Sequence, residues 1–258
     1  MAGRVALVTG ASAGIGYELA KIFASQGHRV ALVARRIERL QGLAAEIVAA
    51  GGQRPLIIAC DLQAAESGDI IAAALASADV EVEYLVNNAG FGLLGEWLRL
   101  DRIEQLAMVD VNVRALTDLS LRFADSLARH RGGILNVASI ASFLPGPRMA
   151  VYYATKAYVL SFSEALHCEL APRGVRVTAL CPPSVPTEFQ QRAGIVPGFD
   201  SKVLTVSALA VALAGYKGLM AGKRLVLPGL GMKVIPVMLR FVPRGWILSL
   251  VGKVQSRR

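Results

Sequence analysis

The chain opens with RVALVTGASAGIG, an apolar run that passes directly into Gly10, Gly14 and Gly16 and then into YELAKIFASQG, which has helical apolar spacing. A strand feeding a glycine-rich turn and a helix is the first step of a doubly wound sheet. The glycines let the backbone turn tightly and approach a pyrophosphate, whose charge sits at the helix N-terminus. The spacing is TGxxxGxG rather than GxGxxG. Six more strand-like runs follow at intervals filled by helical patterns: HRVALVA, RPLIIAC, EYLVNNA, GILNVAS, VRVTALC and RLVLPG. Such alternation predicts an α/β fold, a Rossmann-type parallel sheet of about seven strands with helices on both faces. Gly51-Gly52, Arg131-Gly132-Gly133 and Arg173-Gly174 mark helix ends. At 258 residues and 54% apolar content the chain can build that core, and no repeat or linker divides it. Residues 1–258 are therefore expected to form one domain.

The chemistry is carried by spacing. Tyr152 and Lys156 lie four apart in MAVYYATKAYVLSFSEALHCELA, a helical stretch, so both project from one face. Ser139 ends GGILNVAS, a strand leading out of the sheet. A phenol, an ammonium and a hydroxyl converging there make a proton-transfer site for a carbonyl or alcohol oxygen. A free phenol titrates near ~10 and is a poor base at neutral pH. A lysine charge ~4 Å away favours phenolate by about 4 kcal/mol at an effective dielectric near 20, and desolvation opposes it, so about 7 to 8 is expected. Ser139 would hold the substrate oxygen, and Asn112 would anchor a water leading to Lys156.

TGASAGIG (Thr9 to Gly16), Asp61 after RPLIIAC, NNAG (Asn87 to Gly90), Asn112 in VDVNV, Ser139 and Tyr152-x-x-x-Lys156 follow one another in order. In this the chain resembles the short-chain dehydrogenase/reductase family, its single-domain branch of about 250 residues, over roughly residues 3 to 230. It is more loosely similar to 3-ketoacyl reductase and 17β-hydroxysteroid dehydrogenase-like members. The resemblance implies Tyr152 as acid/base, Lys156 as its pKa-lowering partner and ribose ligand, Ser139 at the substrate oxygen and Asn112 in a proton relay. It also implies dinucleotide contacts at Gly10, Ser12, Ala13, Gly14, Ile15 and Gly16. Further contacts are implied at Asp61, Leu62, Asn88, Ala89, Gly90, Tyr152, Lys156, Pro182 and Thr187. Two positions depart from the family pattern. Pro183 stands where glycine is usual, fixing φ and removing a donor beside the expected nicotinamide, and Ala13 stands where NADP-dependent relatives often carry a base.

The second strand-like run ends Ala34-Arg35-Arg36, without the acid that would hold the ribose hydroxyls of NAD(H). Arg35 and Arg36 offer planar cationic forks suited to a 2′-phosphate, so NADP(H) is expected over NAD(H); the same pair also suits solvated charges opening a helix. The segment 184–202, with Phe189, Ile195, Val196 and Phe199, is the expected substrate lid, and its side chains point to an apolar ketone or aldehyde, or the corresponding alcohol. A dinucleotide-binding regulatory or membrane-tethering protein is the alternative, against which the complete Asn-Ser-Tyr-Lys set argues. A homodimer or homotetramer is expected.

From Ser201 to Arg258 there are ten Lys or Arg and no Asp or Glu, so the first 200 residues sum to −1 against +9 for the whole. The basic amphipathic extension 232–258 mixes Phe241, Trp246, Ile247 and Leu250 with Arg240, Arg244, Lys253, Arg257 and Arg258. Its apolar runs are too short to span a bilayer. Such a segment suits an anionic membrane surface, and equally suits a helix covering the substrate pocket or a subunit interface. It is too apolar, and lacks a motif, for nucleic acid. Cys60, Cys168 and Cys181 follow no metal spacing, and no metal site is expected. With Val5 to Thr9 already part of a strand, no signal peptide is expected, and the compartment is read as reducing and cytoplasmic, with peripheral contact at the inner membrane surface as the further option.

Overall fold

Each of the seven apolar runs becomes a strand in the computed structural model, which describes residues 2–195, 205–229, 231–239 and 241–256. The strands are β1 (Gly3–Thr9), β2 (Val30–Ala34), β3 (Leu56–Ala59), β4 (Val80–Asn87), β5 (Gly133–Val137), β6 (Arg176–Leu180) and β7 (Leu225–Val226). They form one parallel sheet in the order β3-β2-β1-β4-β5-β6-β7. The helices are α1 (Gly14–Ser25), α2 (Ile37–Ala49), α3 (Ser67–Ser77), α4 (Arg102–Val109), α5 (Leu116–Arg122), α6 (Ala124–Arg129), α7 (Ala150–Leu170), α8 (Glu188–Arg192), α9 (Ala208–Met220), α10 (Ile235–Met238) and α11 (Arg244–Gln255).

Parallel strands need crossovers, and the helices that make them bury both faces of the sheet. Alternation along β1 divides the core. Val5 and Leu7 join Ile71, Leu85, Met108, Leu119, Ile134 and Val177 on one side. Ala6 and Val8 join Leu19, Phe23, Leu32, Leu40, Val86 and Leu135 on the other. Each of these large side chains, fully withdrawn from water, contributes about 1.5–3 kcal/mol. Because strand order runs outward from β1 to β3 and then restarts at β4 on the other side of β1, the two connections diverge above the carboxyl ends of β1 and β4. A crevice opens at that switch point.

Candidate active site

The turn after β1 is shaped by glycine. Gly10 has φ +65°, and a Cβ there would lie 2.7 Å from Asn88 Nδ2 and 2.9 Å from Ala89 Cα. Gly14 has φ +59°, and a Cβ on Gly16 would collide with the Gly10 carbonyl and the Asn88 amide. No side chain caps α1, whose N-cap is Ala13. The result is a bare backbone cradle with the positive end of a helix facing the crevice, which fits a pyrophosphate. The cradle is laced to the end of β4. Thr9 Oγ1 donates to Val86 O (3.1 Å) and accepts from the amides of Asn88 (3.0 Å) and Ala89 (3.1 Å). Asn88 Nδ2 donates to Thr9 O (2.9 Å) and Gly10 O (3.2 Å). Asn88, expected at the cofactor, thus has its amide engaged in holding the glycine turn.

On α7, Tyr152 and Lys156 share a face as their spacing requires, and both are buried. Lys156 Nζ donates to Val137 O at 2.8 Å and sits 5.9 Å from the centroid of the Tyr152 ring. Ser139, just past β5, lies beside the Tyr152 phenol, and its Oγ accepts from Ala141 N at 3.1 Å, capping the short 3-10 turn Ile140–Phe143. Asn112 lies in a π-helical turn, Asp110–Ala115, between α4 and α5. Its Oδ1 accepts from Phe91 N (3.1 Å), and its Nδ2 donates to Phe91 O (3.0 Å) and Thr155 Oγ1 (3.0 Å). This side chain ties the loop after β4 to α7, and its Oδ1 retains a second lone pair. Gly90 fits between the two, since a Cβ there would lie 2.9 Å from Asn112 Oδ1 and 3.3 Å from Lys156 Nζ.

The charge states differ from the sequence expectation. Burial pushes the Tyr152 phenol up to about 12, with the neighbouring Ser139 hydroxyl pulling the other way. Burial pulls the Lys156 ammonium down to about 8. At the high pH where so deeply buried a phenol would ionise, Lys156 has already lost its proton, so its charge does not offset desolvation there. The phenol is therefore protonated at neutral pH. The Cys181 thiol, close to Lys156, is also pushed up by burial, to about 12, so it stays protonated and inert.

Arg35 and Arg36 do face the crevice, but neither is free. Arg36 Nη2 donates to Glu188 Oε2 (2.7 Å) and Ser12 Oγ (3.1 Å), and Arg35 Nη1 lies 3.9 Å from Asp61 Oδ2. The Arg36 guanidinium holds the Glu188 carboxyl below the usual carboxylate range.

Together these elements enclose a cleft of about 800 Å³ that runs from the cradle, past Ile15, Leu62 and Ala89, to the Tyr152 hydroxyl. Pro182, Pro183 and Thr187 line it. Thr187 lies over the glycine turn, its Cγ2 3.0 Å from a Cβ built on Gly14, and it caps α8. Of the lid expected at 184–202, α8 brings the Phe189 ring to 5.4 Å from that of Tyr152, and Ile195 lines the cleft. Val196 and Phe199 lie outside the described residues. Of the alternatives open for the extension 232–258, a pocket wall is what α11 supplies, where Leu250, Val251, Val254 and Gln255 line the cleft. Gln255 Nε2 donates to Tyr153 Oη at 2.8 Å, and Gly252 faces Pro147. The extension thus covers the pocket; its Arg240, Arg257 and Arg258 lie outside the described residues. Among the described residues no cluster of His, Cys, Asp or Glu could hold a metal ion, and no helix is long and apolar enough to cross a membrane.

Residues 4–195 match the family described as short chain dehydrogenase. The chain belongs to that family. This short-chain dehydrogenase is 39% identical over 186 residues to a sulfoacetaldehyde reductase from Chromohalobacter salexigens, covering 70% of this chain and 72% of that protein. It superposes on a short-chain dehydrogenase from Sphingobium yanoikuyae in complex with NADPH with a TM-score of 0.81 at 30% identity, covering 95% and 94% of the two chains. It also superposes on a 3-ketoacyl-(acyl-carrier-protein) reductase from Brucella melitensis complexed with NADH, with a TM-score of 0.76 at 30% identity over 88% and 96%. A nicotinamide dinucleotide is thus the cofactor, and the protein is an NAD(P)-dependent oxidoreductase of this family.

Proposed function

We propose that this short-chain dehydrogenase reduces an apolar ketone or aldehyde with NADPH, and runs in reverse as an alcohol dehydrogenase. The observation that carries the reading is the buried Tyr152 phenol, beside Ser139, at the end of a cleft that begins at the bare glycine cradle. The dinucleotide, when bound, supplies or accepts the hydride. Tyr152, neutral at physiological pH, donates its proton to the substrate oxygen as that oxygen gains charge. Ser139 Oγ–H holds the same oxygen, and Lys156, seated on the Val137 carbonyl, supplies positive charge on the same helix face to steady the phenolate left behind. Asn112 fixes the loop after β4 against α7, which sets Lys156 in place.

The preference for NADPH rests on Arg35 and Arg36 at the end of β2, where no acid waits for a ribose diol. A 2′-phosphate would exchange Glu188 for a doubly charged partner of Arg36. The substrate class rests on the wall formed by Phe189, Ile195, Leu250, Val251 and Val254 around the phenol. A homo-oligomer fits the exposed Ile103, Leu106 and Val109 on α4 and Leu121 on α5, an apolar surface that a second copy would cover. Three free cysteines fit a reducing, cytoplasmic setting.

The test is oxidation of NADPH, followed by loss of reduced-nicotinamide absorbance, against a panel of apolar ketones and aldehydes. Turnover with NADPH well above that with NADH is expected. Absence of turnover with either cofactor would overturn the catalytic reading, and a preference for NADH would overturn the role given to Arg35 and Arg36.

A further inference from the structure

The helix that walls the cleft has a second apolar side. Along α11 the inward positions are Ile247, Val251 and Gln255, and the outward ones are Trp246, Leu250 and Lys253, each set at helical spacing. Trp246 is 74% exposed, and Phe241, just before the helix, is 83% exposed. Val237 and Met238 of α10 are exposed beside them. Large aromatic side chains so fully in water mark a surface that meets something else. Its charge says what. Arg244 and Lys253 flank the aromatic residues, and from Ser201 to the end of the sequence ten cations stand without one acid. A second copy of the same segment would bring like charge against like charge in a two-fold contact. An anionic lipid surface meets both demands, since cations sit among the headgroups while Trp and Phe enter the acyl boundary.

We propose that the exposed faces of α10 and α11, with Phe241 before α11, dock this protein on an anionic membrane surface, with Phe241 and Trp246 inserted. Leu250 belongs to both sides of the helix, for it is exposed and it also lines the cleft. Docking therefore sets the mouth of the cleft against the bilayer, and the substrate would be a carbonyl compound that partitions into lipid. That last clause rests on the proposed carbonyl reduction; the docking does not.

The test uses the full chain with vesicles of phosphatidylcholine alone or with phosphatidylserine added. Binding by sedimentation should be at least about tenfold stronger to the anionic vesicles and should weaken with salt. With Trp97→Phe in place, the fluorescence of Trp246 should shift to the blue on binding. Phe241→Ser with Trp246→Ser should lower vesicle affinity about tenfold or more while leaving turnover of a water-soluble ketone unchanged. Should that variant fail to fold by circular dichroism, Arg244→Glu with Lys253→Glu carries the same expectation for anionic vesicles. No sedimentation of the wild-type chain would overturn the proposal. So would a double variant that binds vesicles as wild type does but elutes as a smaller assembly, because a second copy would then be the occupant. Vesicle binding without turnover of any carbonyl would overturn the catalytic reading and uphold the docking.

Discussion

Lys156→Met should make the protein's stability respond to pH in a way the wild type does not. The Lys156 side chain is 5% exposed, and burial pulls its ammonium from the ordinary 10.5 to about 8. At 1.36 kcal/mol per pH unit, keeping that charge in the folded state costs about 3 kcal/mol. The folded-state value is the depressed one, so the sign is fixed. The penalty is absent above about pH 10.5, grows as the pH falls towards 8, and is complete below it. Methionine keeps the length of the side chain and removes the charge, but it orphans the Val137 carbonyl that Lys156 now meets at 2.8 Å. An unpaired buried carbonyl costs about 1–3 kcal/mol at every pH. At pH 7 the two effects oppose each other, so an inactive variant should be as stable as the wild type or more stable, by up to about 2 kcal/mol. Between pH 7 and 10.5 the wild type should gain about 3 kcal/mol on the variant. Urea unfolding of the cofactor-free proteins, followed by circular dichroism across that range, measures the difference directly. Other titrating groups cancel between the two chains. A gap that stays constant with pH, or one that favours the wild type at pH 7 and closes by 10.5, would refute the reasoning.

Tyr152→Phe removes only the hydroxyl, so turnover should fall by about 100-fold or more while NADPH binding, measured by fluorescence titration, persists. With the phenol pushed up to about 12, alcohol oxidation in the wild type should rise about tenfold per pH unit between roughly pH 7 and 9, whereas carbonyl reduction should not. Glu188→Gln releases Arg36 from an exposed ion pair, which should tighten NADPH up to about fivefold and leave NADH unchanged. Arg35→Ala with Arg36→Ala should weaken NADPH at least about tenfold more than NADH in the same titration. Gln255→Leu breaks the bond to Tyr153, so KM for an apolar ketone should rise while KM for the dinucleotide holds.

Local pattern carried most of the fold. Seven apolar runs became seven strands, and the glycine turn, Ser139 and the Tyr152–Lys156 pair lie where their spacing puts them, because side-chain direction in a helix or strand follows from residue number alone. What escaped is long-range or depends on burial. Glu188 meets Arg36 from 152 residues away, and Gln255 meets Tyr153 from 102 away. No periodicity encodes such meetings. The π-helical turn at Asp110–Ala115 leaves VDVNV looking like any helix, since one extra residue in a turn does not disturb an apolar run. The direction of the Tyr152 titration was misjudged because proximity to a cation can be read from sequence, whereas the depth of burial that outweighs it cannot. The extension 232–258 was left open between membrane, pocket and subunit contact; its inner face proves to be a pocket wall.

The wall contributed by α11 makes the molecule separable in evolution. Every residue proposed to handle the dinucleotide and the proton lies in residues 10–187, within the span that matches the family, while Leu250, Val251 and Val254 line the cleft from beyond it. Substitutions along Leu250, Val251 and Val254 alter the shape of the substrate's chamber without passing through the sheet. If that division holds, a lineage would acquire a new substrate by rewriting the 12 residues of α11, and the proposed hydride chemistry would be inherited intact.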